Sequence, residues 1–116
     1  RFTRDGKALI TEDSDDLRST LVRHDLATGA SQPLKLPQGI NFTSASEPRS
    51  PDGKSLLVVN MAANVTGELN RYDLATDTVT PVTRLALASV RPEALATSQQ
   101  VTYKSFDGTL ISALVT

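Results

Sequence analysis

The chain has no cysteine and no tryptophan, and its 116 residues include only two tyrosines, three phenylalanines and one methionine. The missing cysteine excludes disulfides, zinc–thiolate sites and a cysteine nucleophile. It is compatible with the cytoplasm or the periplasm and does not choose between them. With so few aromatics, a core must be built from Leu, Val, Ile and Ala. An excess of charge is missing too: 12 Lys and Arg face 13 Asp and Glu, for a net charge of −1. That balance gives no electrostatic reason to expect nucleic acid or a membrane surface as partner. No apolar run approaches the roughly 18 residues that a spanning helix needs. No signal peptide is visible, and the chain begins with Arg1 rather than Met.

What is present is a globular composition, 39% hydrophobic and 22% charged, enough for one domain or a piece of a larger one. It also contains a repeat. RHDLATGA at 23–30 returns as RYDLATDT at 71–78, an offset of 71 − 23 = 48. Asp5-Gly6-Lys7 returns as Asp52-Gly53-Lys54, an offset of 52 − 5 = 47, so one residue is inserted between the two anchors. Pro33 and Pro81 also match at 48. A fixed period of this length is the mark of a repeat architecture.

Each copy reads as a β-meander. In copy two, Pro51 and Gly53 make a tight turn. The apolar run 56–59 suits a buried strand, 60–67 reads as a polar loop, and 68–74 as a second strand. A turn at 75–77 leads to the β-branched stretch 78–83, suited to an edge strand. Copy one gives the same order at 8–12, 20–25 and 30–36. A further strand is expected upstream in each copy, at 42–49 in copy two and before Arg1 in copy one. Four antiparallel strands in about 45 residues is the size of one β-propeller blade. The fold class expected is therefore all-β. Only 91–98 reads as helical, with Pro92 in the first turn and Glu93 near the positive end of the helix dipole.

The SPDGK turn, apolar run and YDLATD segment resemble the blades of bacterial propellers of the TolB-like, WD-like kind. The last stretch is more telling. Residues 101–115 read VTYKSFDGTLISALV. With Val101, Tyr103, Ser105, Asp107, Gly108, Ile111 and Ala113, they resemble the junction in the prolyl oligopeptidase family of serine peptidases, with acylaminoacyl peptidases and dipeptidyl-peptidase-like enzymes as the nearest resemblance. There the last blade ends, a linker follows, and a strand pair opens the α/β-hydrolase domain. The residues themselves agree: Asp107-Gly108 reads as a two-residue type I′ hairpin turn between apolar strands. Its distance from Asp52 is 107 − 52 = 55, which breaks the 47–48 period.

The resemblance implies the last two four-stranded antiparallel blades of a propeller, a linker and the first hairpin of a hydrolase domain. The divisions are 1–41, a partial blade lacking its first strand; 42–85, a complete blade; 86–100, the linker; and 101–116, the hairpin. It implies a parent enzyme that cleaves short peptides with a Ser–His–Asp triad and an oxyanion hole, the propeller gating access. Its partners would be peptide substrates and the hydrolase domain. No G-x-S-x-G elbow occurs in this chain, so no catalytic residue is assigned. The single histidine, His24, matches Tyr72 of the other copy and reads as structural. No cofactor or metal ligand is assigned, and this chain alone should be inactive. The alternative is a non-enzymatic TolB-like propeller that binds proteins or peptides. Two blades leave unpaired sheet edges, which favours association with other chains.

Other patterns carry less. Gly53-Lys54-Ser55 lacks the upstream glycine of a phosphate loop, because position 48 is Pro. The acidic cluster 12–16 has no glycine for a calcium bend and reads as a solvated loop, with contact to a substrate amine or partner as the sharper option. Asn41 and Asn64 head glycosylation triplets, discounted in a bacterial-looking sequence. Arg49, Arg71, Arg84 and Arg91 are candidates for pairing with carboxylates at a blade–hydrolase interface.

Overall fold

The computed structural model describes residues 1–15, 17–43, 47–85 and 90–116. The fold is all-β. Its strands are β1 (Ala8–Ser14), β2 (Ser19–Asp25), β3 (Ser31–Pro33), β4 (Ile40–Phe42), β5 (Ser55–Ala62), β6 (Val65–Asp73), β7 (Thr78–Pro81), β8 (Gln99–Lys104) and β9 (Leu110–Val115). The expected helix at 91–98 is instead a single 3₁₀ turn, Pro92–Ala94. A Pro start and one acidic residue are too little to nucleate a longer helix.

Both copies fold to the same meander. In copy one, Phe2 bridges to Leu9, β1 pairs with β2, and β2 with β3, all antiparallel. In copy two, Arg49 bridges to Leu56 and β4 pairs with β5, β5 with β6, and β6 with β7. The Phe2 and Arg49 bridges are the same contact displaced by one repeat. The expected strand at 42–49 is realised as β4 and the Arg49 bridge, with 44–46 outside the described residues. One parallel pair, Ser19 with Ile40, links the copies.

The polar loop expected at 60–67 does not form. β5 and β6 run on through it and turn at Ala63-Asn64. The register shifts by one between Asn60 and Met61. Gly67, at φ 102, absorbs the extra residue as a bulge. This is the inserted residue that changes the repeat offset from 47 to 48.

The turns rest on aspartates. Asp5 Oδ1 accepts from Thr3 Oγ1 (2.6 Å) and the Lys7 amide (3.1 Å). Asp52 Oδ1 accepts from Ser50 Oγ (2.6 Å) and the Lys54 amide (3.0 Å). At the DLAT turns, Asp25 Oδ1 accepts from the Ala27 and Thr28 amides and Asp73 Oδ1 from those of Ala75 and Thr76. The β8–β9 turn corrects the expected type I′ geometry. The Gly108 amide bonds to the Ser105 carbonyl and the Ser105 amide to the Thr109 carbonyl. Of Asp107 and Gly108, only Gly108 has positive φ, so this is a three-residue loop, a type I turn closed by a glycine bulge.

The core lies between the copies. It contains Ile10, Leu21 and Leu34 of copy one with Leu56, Val58 and Tyr72 of copy two. Pairing of Glu12 with Leu21 puts Ile10 and Leu21 on one face of copy one. Pairing of Leu56 with Tyr72 puts Leu56, Val58 and Tyr72 on one face of copy two. These are not equivalent faces. Subtracting the repeat, Leu56, Val58 and Tyr72 correspond to Leu9, Thr11 and His24, on the opposite face of copy one. The copies therefore stack front to back.

Candidate functional site

Several polar links fasten this stack, an Arg1–Glu47 ion pair at 3.7 Å among them. Glu12 Oε1 accepts from the Thr43 amide and Oγ1, both at 2.8 Å. Arg49 Nη1 donates to the Phe2 carbonyl at 3.0 Å, and Arg23 Nη1 to the Leu74 carbonyl at 3.5 Å. Lys35 and Asp77 form an ion pair at 3.0 Å. Arg49 also grips Glu47 through two bonds of 2.7 Å. That guanidinium holds the Glu47 carboxyl down at about 2.

At the end of the stack that carries the β1–β2 turn and the β5–β6 hairpin lies an open cleft of about 830 Å³. Asp13, Asp15 and Arg18 bring charge to it, and Ile40, Met61 and Val65 give it apolar wall. Ser98, Gln100 and Leu114 of the C-terminal segment close the far side. Under its floor two buried asparagines stand opposite each other on β4 and β5. Asn60 Nδ2 donates to Asn41 Oδ1 at 3.0 Å and to the Gln38 carbonyl at 3.1 Å. Asn41 Nδ2 donates to the Pro37 carbonyl at 2.8 Å. With every amide satisfied, the pair is a rigid support. The sequence alone does not single out this pair, because Asn60 falls in the expected polar loop; the asparagine at the end of an apolar run is the available signal.

The acidic cluster is split by the fold rather than gathered. Glu12 and Asp13 belong to β1, with Glu12 tied to Thr43. Asp15 Oδ1 caps the turn by accepting from the Arg18 and Leu17 amides. Asp16 lies outside the described residues. Among the described residues no cluster of His, Asp and Glu is arranged to hold a metal ion.

His24 sits in mid-strand on β2. Its Nε2 meets Thr11 Oγ1 and its Nδ1 meets Ser31 Oγ, each at 2.8 Å. The ring links β1, β2 and β3, and among the described residues both ring nitrogens meet hydroxyls rather than the carboxylate that would orient a catalytic base. The Gly53-Lys54-Ser55 segment is the SPDGK turn. Asn41 is buried, and Asn64 is at the β5–β6 turn. Of the arginines picked out, Arg49 pairs with Glu47. Arg71, Arg84 and Arg91 are exposed and form no ion pair among the described residues.

The β8–β9 hairpin forms its own two-stranded sheet, with no pairing to the seven strands before it. The register places Val101 and Tyr103 on one face with Ile111, Ala113 and Val115. Much of that apolar face is exposed: Tyr103 is 53% and Val115 54% accessible. No known family model and no curated protein matches the chain.

Proposed function

We infer that the chain comprises two propeller blades and the domain junction of a serine peptidase of the prolyl oligopeptidase family. Its contribution is to wall the entry route for short peptides and to carry the hinge into the catalytic domain. One observation carries the propeller part: equivalent meanders stack front to back, the arrangement that generates a ring when continued. A two-fold sandwich would bring like faces together. The separate β8–β9 sheet, off the repeat period and with an apolar face uncovered, supports a change of domain at about residue 100.

In this reading the nucleophile, base and acid belong to the hydrolase domain, and no residue of this chain contacts the reacting carbonyl. The cleft beside the β1–β2 turn and the β5–β6 hairpin lies on the side from which the chain leaves β7 for the hairpin, so it faces that domain. Labelling of the intact parent by a fluorophosphonate probe tests the assignment. The parent labels on a serine downstream of Thr116, and the 116-residue chain alone does not. An intact parent that binds peptides without labelling refutes the peptidase and selects the TolB-like binding propeller, for which the same cleft would serve.

A further inference from the structure

We draw no further inference here: the strongest candidate, the apolar face of the β8–β9 hairpin formed by Val101, Tyr103, Ile111 and Val115, is unpartnered among the described residues, and nothing in the structure shows what covers it.

Discussion

At the scale of single residues the fold hangs on carboxylates. Hydrogen bonds hold Asp5, Asp25, Asp52, Asp73 and Asp107 below the ordinary aspartate range. The principal donors are the side chains of Thr3 and Ser50 for Asp5 and Asp52, and the amides of Thr28, Thr76 and Thr109 for the other three. A carboxyl whose folded pKa is depressed contributes stability that is complete above its unfolded pKa and is lost as pH falls through the folded value. Stability should therefore fall as pH drops below about 4, down to the region near 2 where Glu47 takes up its proton. Asp52→Asn keeps the accepting oxygen of the turn and removes one titration. Urea midpoints measured against pH should show a shallower acid limb for this variant. Gly39 gives a contrasting test. Its φ is 122, and a Cβ there would collide with the Met61 carbonyl. Gly39→Ala should cost at least ~2 kcal/mol by urea denaturation.

At the scale of elements, what was legible were the pieces with local causes. The DG and DLAT turns, the apolar runs of β1 and β5 and the hairpin after the linker follow from neighbouring residues alone. The extension of β5 and β6 was not legible. A bulge at Gly67 and the Asn41–Asn60 pair are settled across strands, and polar residues at 60–67 mimic a loop when read in isolation. The turn of the last hairpin differs from the expected type I′ turn for a related reason: Asp-Gly suits both a two-residue and a three-residue loop, and Phe106 joins the loop only when the strand register is known. Each meander is thin, with one face toward the shared core, so neither copy is expected to hold alone. Leu21→Ala and Leu56→Ala lie on opposite sides of that core, and each should cost roughly 2–5 kcal/mol. Either change should lower amide-exchange protection in both copies together, because one core serves both.

At the scale of the molecule, the repeat accounts for the shared core. Two meanders stack by unlike faces, and the hairpin beyond residue 98 forms a separate two-stranded sheet. The propeller reading depends on the order of faces. Nuclear Overhauser contacts from the Tyr72 ring test that order directly. They should reach the methyls of Ile10 or Leu34, on the back of copy one. Contacts from Tyr72 to His24 or Thr11, or to residues of its own copy alone, would contradict the front-to-back stack.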